Sequence, residues 1–342
     1  MKQAIMTSPG VIEYRDVELP EINDEQILVK IKRIGVCGSD IHVNHGKHPY
    51  TSYPVVQGHE VSAQVVKAGK NVFNVKAGDR VTIQPQVVCG TCYPCTHGRY
   101  NACETLKVMG FQTTGIASEY YVTEGKKAVK LPDDMSWDHG AMIEPLAVAV
   151  HAIRRSGDIK NKAVLVLGGG PIGNLVAQTA KAMGASKVMI TELSACRLQI
   201  AKDCGIESVN PTEQDLHSAV VTCFGSDGTD VIFECVGIEA TMNQAITSAR
   251  KGSDIVLVGV FPDLGTINLG FIQDHELRLI GSMMYREEDY IDAIKLAEQG
   301  KILFDPLITD CFRFDDYKKA YDYIDEQRDK AMKIMIVIDE ET

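Results

Sequence analysis

The order of apolar and polar positions divides the chain into two stretches of different periodicity. Up to about position 150 the apolar residues form short alternating runs broken by glycine and proline. Examples are "QILVKIKRIGVCG" from Gln26, "EVSAQVVKAGKNV" from Glu60 and "DRVTIQPQVVCG" from Asp79. Period-two alternation between turn residues predicts short strands in a barrel-like or irregular β domain, with long loops able to carry sites. Near His151 the pattern changes. "KAVLVLGGGPIGNLVAQTAKAMGASKVMITELS" is an apolar run, a glycine turn, an amphipathic helix and a second apolar run. Ile172, Leu175, Val176, Thr179, Ala180 and Met183 share one helical face. Alternation continues through "VIFECVG", "ATMNQAITSARKG" and "IVLVGVF", which predicts a parallel, doubly wound sheet between helices. "EDYIDAIKLAEQGK" then reads as a helix, and "KKAYDYIDEQRDKAMKIMIVI" as a helix followed by a strand. The expected class is α/β, and no internal repeat is visible.

Composition narrows the function more than the fold. The 342 residues suggest about two domains, and 45% hydrophobic with 24% charged residues is ordinary for a water-soluble protein. A net charge of −11 with no basic run argues against nucleic acid as a partner. No apolar run approaches the ~18 residues that span a bilayer. The start, "MKQAIMTSPGVIEYRDVELP", lacks the apolar core of a signal peptide. The expected compartment is the cytosol, with no membrane partner. Thiols stay reduced there, so clustered cysteines point to metal or catalysis before disulfides.

Four of the ten cysteines, Cys89, Cys92, Cys95 and Cys103, lie in "CGTCYPCTHGRYNAC". Four thiolates from one compact loop suit a closed tetrahedral structural zinc. An iron–sulfur cluster is the main rival, but its C-x₂-C-x₂-C run continues to a cysteine after three residues, followed by proline. Here seven residues intervene and Glu104 follows Cys103. A closed site leaves substrate no position, so the chemistry is expected elsewhere.

Gly168, Gly170 and Gly173 fit G-x-G-x-x-G, with Pro171 and Ile172 between the second and third glycines. The pattern is weak alone, but here it follows "AVLVL" and opens a helix, as a dinucleotide fingerprint requires. The first glycine allows the tight turn, the second lets backbone approach a pyrophosphate, and the third lets helix and strand pack closely. Free N–H groups at the helix start then face the phosphates. Glu192, closing the next apolar run, suits ribose hydroxyls and repels a 2′-phosphate, which favours NAD over NADP. Arg197 could accommodate such a phosphate. The alternative is a plain turn with a solvated Glu192.

Upstream, "GVCGSDIHVNHG" and "YPVVQGHE" hold Cys37, His59 and Glu60, a thiolate, an imidazole and a carboxylate of the types a catalytic zinc uses. Glu144 lies in the apolar run "GAMIEPLAVAVHA", where a carboxylate is costly to bury unless it is paired or near a metal. Each has an ordinary reading too: Cys37 a buried small hydrophobe, His59 a core histidine, Glu60 a surface charge. Ser39–Asp40 also reads as a helix N-cap. Dispersed ligands carry no spacing signature, so these residues alone leave the matter open.

The ordered set "GVCGSDIH", "GHE", "KAGDRV", "CGTCYPCTHGRYNAC", "IEPLAVAVHA", "LGGGPIGNL" and "ECVG" resembles the zinc-dependent medium-chain dehydrogenases, in particular their sorbitol (polyol) and threonine dehydrogenase branch. The resemblance runs from about Lys30 to Phe261 and more loosely to the end. It implies a GroES-like β-rich catalytic domain, residues 1–148 and 284–342, and a Rossmann domain, residues 149–283. It implies a structural zinc on Cys89, Cys92, Cys95 and Cys103, and a catalytic zinc on Cys37, His59 and one of Glu60 and Glu144, with the other standing by. Ser39 and His42 match a proton relay. Gly168, Gly170, Pro171, Ile172, Gly173, Glu192, Arg197, Val258, Gly259, Val260, Met283 and Met284 fall at cofactor-contact positions.

The implied reaction is hydride transfer from a secondary alcohol of a polyol, sugar or sugar acid to NAD, giving the ketone. Zinc would act as Lewis acid on the hydroxyl, and the proton would leave through Ser39 and His42. Two departures put sorbitol itself in doubt. Met284 stands where the family's arginine helps hold the polyol, followed by Tyr285 and Arg286, and the loop "VNHGKHPYTSYP" lacks the family's usual aromatic. L-Threonine and phosphorylated polyols remain alternatives, with Lys47 and Arg286 available for an anionic group. His45 and His48 are expected as solvated loop residues. Two other readings are a zinc-free reductase of the same superfamily, with structural metal only, and a non-enzymatic zinc-ribbon adaptor. The adaptor leaves the nucleotide fingerprint unexplained. Relatives are usually homodimers or homotetramers.

Overall fold

A computed structural model describes residues 1–340. The chain divides into two compact units. One comprises Met1–Glu144, Arg286–Ile294 and the segment from Ile308 onward; the other comprises Pro145–Tyr285 and Lys295–Leu307.

The first unit is built on the strand Gln26–Val36. Ten of its eleven residues come from "ILVKIKRIGV", and all but Gln26 and Lys30 are buried, because other strands and loops cover both of its faces. On one side it pairs with the terminal strand Lys333–Val337, which continues to Ile308–Arg313. On the other lie Glu60–Ala68, Arg80–Ile83 and Ala128–Lys130 in turn, while Tyr120–Glu124 also pairs with the central strand. Most neighbours run antiparallel. Ile31, Ile34, Val61, Val65, Ile83, Ile334 and Ile336 form part of its core.

Register decides what gathers at one end of this sheet. Ile334 lies opposite Val36, and Gly35 lies opposite Glu60. Lys333, Cys37 and Glu60 therefore reach the same end, although they are far apart in the chain. Gly35 is required there: a Cβ would sit 2.1 Å from Oε2 of Glu60.

The second unit is the doubly wound sheet that the alternation predicts. Its six strands run in the order Glu207–Val209, Lys187–Thr191, Ala163–Leu167, Val231–Glu234, Asp254–Leu257 and Arg278–Gly281. All five pairings are parallel. The two central strands are buried almost throughout, as strands covered by helices on both faces must be. From Ala163–Leu167 the chain first winds outward to one side, then returns and winds to the other. The crevice where the order reverses, between Ala163–Leu167 and Val231–Glu234, is where sheets of this class bind ligands. Among the described residues, no helix is long and apolar enough to cross a membrane.

Candidate functional site: two donor clusters and a glycine turn

The four cysteines converge on a loop that makes its own geometry. Gly90 and Gly98 take left-handed conformations (φ +74° and +69°), and Cys92 caps the short helix Tyr93–Thr96. Sγ of Cys89 lies 4.0 Å from that of Cys95 and 3.6 Å from that of Cys103, and Cys92 and Cys103 are 3.8 Å apart. A metal with Zn–S bonds of about 2.3 Å requires a tetrahedron of sulfurs with edges of about 3.8 Å. Backbone N–H groups of Cys89 and Cys92 donate to Cys103 Sγ and Cys89 Sγ, at 3.4 and 3.3 Å. Hydrogen bonds from Thr91 and Cys92 hold the Cys89 thiol down to about 5. Desolvation and the neighbouring thiols push Cys95 up to about 12. Four thiolates cannot share so small a volume without a cation between them, so this donor set fits zinc.

Arg286 is tied to this lobe rather than free for an anion. Its Nη1 donates to the Gly98 carbonyl at 3.3 Å, and Nε pairs with Glu288 at 3.1 Å. The Glu287 N–H donates to the Tyr100 hydroxyl at 2.5 Å.

The second cluster is assembled from several elements. Cys37 follows the central strand and is the N-cap of the helix Gly38–Asn44. Glu60 opens the next strand, Glu60–Ala68, and His59 immediately precedes it. Their ligand atoms and that of Cys37 lie within 4.8 Å of one another, with His59 and Glu60 buried. The cap is Cys37 and not Ser39: its N–H donates to Asp40 Oδ2 at 2.9 Å, so Asp40 closes the capping box. Asp40, itself buried, also lies 3.7 Å from His59 Nδ1. That nitrogen is buried without a hydrogen-bond partner. A carboxylate set behind a histidine is the usual device for orienting a metal-binding imidazole.

Lys333, 3% exposed, faces Glu60, 1% exposed, and donates to both carboxylate oxygens at 2.7 and 2.6 Å as well as to the Val36 carbonyl at 3.1 Å. Glu144, also buried, raises the basicity of both His59 and Lys333 from nearby. It is not one of the three residues whose ligand atoms converge. Burial opposes a charged His59, but Asp40, Cys37 and Glu144 outweigh it and hold the ring well above its ordinary range. Burial likewise raises Asp40, partly countered by His59. Lys333 and His59 thus stand among three buried carboxyl groups and a thiol. Buried carboxylates are costly unless cations meet them, and a thiol, an imidazole and a carboxylate are the donor types zinc takes, so these residues also fit a divalent metal.

Around the cluster, Ser39 is half-buried and His42 is exposed on the same short helix. His45 pairs with Asp325 at 2.9 Å. His48 is not simply solvated: its ring stacks on Phe111 at 4.6 Å. Behind Asp40, Gln57 Nε2 donates to its carbonyl at 3.2 Å, and the Tyr321 hydroxyl donates to Gln57 Oε1 at 3.2 Å. Sequence reading passed over Asp40 as more than a cap, and missed Gln57, Phe111, Tyr321 and Lys333. Only Lys333 left a trace, as a lone charge inside the apolar run "AMKIMIVI".

In the second unit the glycine turn joins Ala163–Leu167 to the helix Pro171–Ala182. Gly168 is left-handed (φ +95°), and a Cβ on Gly173 would lie 1.9 Å from the Gly168 carbonyl oxygen. Gly170 caps the helix without a side chain, leaving its first N–H groups for a ligand. Glu192 turns toward this loop and accepts from Gly169 N–H at 2.8 Å and from Leu193 and Ser194 N–H at 2.7 and 2.9 Å. Arg197 Nη1 lies 3.8 Å from where a Gly170 Cβ would stand. Val258, Gly259 and Val260 follow the strand Asp254–Leu257, and Met283 and Met284 follow Arg278–Gly281. Val260 and Met283 are exposed, and Met284 is left-handed (φ +47°). Because the sheet is parallel, these segments share its C-terminal edge with the glycine turn. The bare helix start, with the backbone approach that Gly168 and Gly173 allow, fits the phosphates of a dinucleotide.

Comparison with known proteins agrees with this geometry. The alcohol dehydrogenase GroES-like domain matches residues 23–133, and the zinc-binding dehydrogenase family matches residues 171–299. Sorbitol dehydrogenase 1 of Saccharomyces cerevisiae is 36% identical over 335 residues, spanning 93% of each chain. D-arabitol-phosphate dehydrogenase of Enterococcus avium is 34% identical, over 98% of this chain and 97% of its own. A zinc-binding dehydrogenase from Sinorhizobium meliloti 1021, solved bound to NADP, superimposes with a TM-score of 0.90 at 31% identity, covering 98% of this chain and 99% of that one.

Proposed function

Because the chain belongs to the zinc-dependent medium-chain alcohol dehydrogenases, in their polyol branch, with a GroES-like unit and a Rossmann unit, we propose that it moves a hydride from a secondary alcohol of a polyhydroxy compound to NAD, giving the ketone. The observation that carries this reading is the buried convergence of Cys37, His59 and Glu60, all of whose ligand atoms lie within 4.8 Å of one another. Three mixed donors leave a position for substrate, whereas the four thiols of the loop leave none. Zinc there supplies Lewis acidity toward the substrate hydroxyl, and the nicotinamide supplies the hydride acceptor.

The protein's own part is orientation and proton movement. Asp40 sets the plane of His59. Lys333 holds the Glu60 carboxylate, and Glu144 stands by as a further carboxylate. Ser39 and His42, three residues apart on one helix, lie on one face. They run from half-buried to exposed, which supports a proton path from the buried cluster to solvent. Histidine suits the outer position because its ring can take up a proton at one nitrogen and release one from the other. Cys89, Cys92, Cys95 and Cys103 hold a second, structural zinc.

Gly168, Gly170 and Gly173 with Pro171 and Ile172 receive the pyrophosphate, and Glu192 the adenosine ribose. Its approach to Gly169 supports NAD over NADP, although the Sinorhizobium relative was solved with NADP. The named relatives act on sorbitol and on an arabitol phosphate, which supports a polyol-like substrate. A cytosolic homodimer or homotetramer completes the proposal.

The test is a screen for NAD⁺ and NADP⁺ reduction by zinc-replete protein over polyols, sugar acids, phosphorylated polyols and threonine. The expected result is turnover of at least one polyhydroxy secondary alcohol with NAD⁺ preferred, and a reduced preference in Glu192→Ser. Absence of oxidation across the screen would defeat the reading.

A further inference from the structure

Four rings lead from the surface of the first unit to its buried donor cluster. Tyr50 is 72% exposed. Its ring meets His48 edge-on at 6.2 Å. His48 lies flat on Phe111, at 4.6 Å and 12°. Phe111, 7% exposed, packs at 5.0 Å against His59.

The inner rings stand on rigid supports. The Phe111 loop is laid along the segment that delivers His59. The Gly115 N–H donates to the Val56 carbonyl at 2.8 Å, the Ala117 N–H to that of Gln57 at 3.0 Å, and the Ile116 N–H to that of Gly58 at 3.2 Å. A Cβ on Gly110 would come within 3.0 Å of the Gly58 nitrogen, so the two backbones are in near contact. His48 is fixed from its other side. Its Nδ1 bonds the Thr51 hydroxyl at 2.8 Å, and the Tyr53 hydroxyl pins the same loop to the Val43 carbonyl.

Among the described residues, Nε2 of His48 has no hydrogen-bond partner, while the ring face is covered by Phe111. A histidine whose face is stacked, whose first nitrogen is anchored and whose second is open is a fixed hydrogen-bonding edge. Burial and the nearby His42 and His59 lower its basicity, and an uncharged imidazole can donate or accept at its open nitrogen according to tautomer.

We propose that His48, held on Phe111, is the specificity-determining residue of this site: it reads a hydroxyl farther along a linear polyol while the C–H faces of the chain lie on the exposed ring of Tyr50. This deepens the polyol reading above and rests on it. The position is two ring-to-ring steps from His59, so the hydroxyl it reads is not the one that reacts. The Tyr50 ring gives the chain an apolar surface and His48 gives it a single polar contact, a division typical of small-molecule sites.

The test compares His48→Leu, which keeps bulk but loses the edge, with His48→Asn, which keeps a short hydrogen-bonding edge. Substrates are erythritol, xylitol and sorbitol against 2-butanol, which has the reacting group alone. Loss of one hydrogen bond is worth roughly 3- to 10-fold in affinity. His48→Leu should raise KM by that factor for the polyols, leave KM for 2-butanol and kcat for both nearly unchanged, and keep the zinc content of the wild type. His48→Asn should recover much of the loss. Equal effects on polyols and 2-butanol, or none on polyols, would overturn the proposal. If the wild type oxidises neither class, the dehydrogenase reading falls. Calorimetric titration of the same polyols into zinc-replete protein then decides for His48: weaker binding to His48→Leu supports it, and unchanged binding overturns it.

Discussion

The two donor clusters of the first unit are built in opposite ways. The cysteine loop takes all its donors from residues 89–103, leaves Cys89 at the surface, and fixes its sulfurs with its own turns and N–H groups. The other takes Cys37, His59 and Glu60 from the ends of two strands and wraps them in Asp40, Glu144 and Lys333, all nearly free of solvent. In the first, the loop's own turns bring the donors together, and nothing beyond the loop is needed. In the second, the sheet orders the donors and buried charges are balanced around them, so a metal enters a prepared and strained electrostatic setting. A closed four-thiolate site holds a loop; a mixed three-donor site inside a charge network has an open position and a tuned field. The difference predicts where damage stays local and where it spreads.

The largest effect is expected in the loop. Cys103→Ser removes one corner of the sulfur tetrahedron. Metal binding in small sites of this kind is worth on the order of 10 kcal/mol and is inseparable from local folding. The variant should lose one equivalent of zinc, and limited proteolysis should cut within the loop, while the core of the sheet keeps its protection from hydrogen exchange. Melting of the whole unit would show that the loop is not self-contained.

The same contrast explains what the sequence revealed. Cys89, Cys92, Cys95 and Cys103 form a readable motif because one short loop must supply all four donors. The glycine turn is readable because Gly173 must lie against the Gly168 carbonyl, and the strands are readable from their alternation. Cys37, His59 and Glu60 are brought together by register, Gly35 opposite Glu60 and Val36 opposite Ile334. Register depends on contacts across the whole sheet, so no local pattern encodes it. Family resemblance named Cys37 and His59 with one of Glu60 and Glu144; periodicity could not. Resemblance also left out Lys333 and Phe111, which act on the ligands from outside the motifs. Asp40 was read only as a helix cap because capping and orienting a histidine require the same residue type at the same place.

Second in size is the buried ion pair. Lys333→Met keeps the length of the side chain and leaves Glu60 without its cation. Stripping one partner from a fully buried pair costs about 3–5 kcal/mol. Urea unfolding of chelator-treated protein should show that loss. Added zinc should restore part of it, because Glu60 released from lysine can turn to the metal. Equal destabilisation with and without zinc would mean that Lys333 and metal do not share Glu60, and the picture of one balanced charge network would fail.

The smallest effect tests the carboxylate behind the histidine. Asp40→Asn is nearly isosteric and can still accept the Cys37 N–H that caps the helix, so the fold should be kept. It removes the negative charge 3.7 Å from His59 Nδ1. Outer partners of metal-bound histidines are typically worth about 10- to 100-fold in metal affinity. Zinc release to a competing chelator should therefore become biphasic, with the Cys37–His59–Glu60 site weakened by that factor and the cysteine loop unchanged, since Asp40 belongs to the dispersed cluster alone. Weakening of both sites together would erase the contrast between them. An unchanged first phase would mean that the sheet alone orients His59, and that Asp40 serves only the helix.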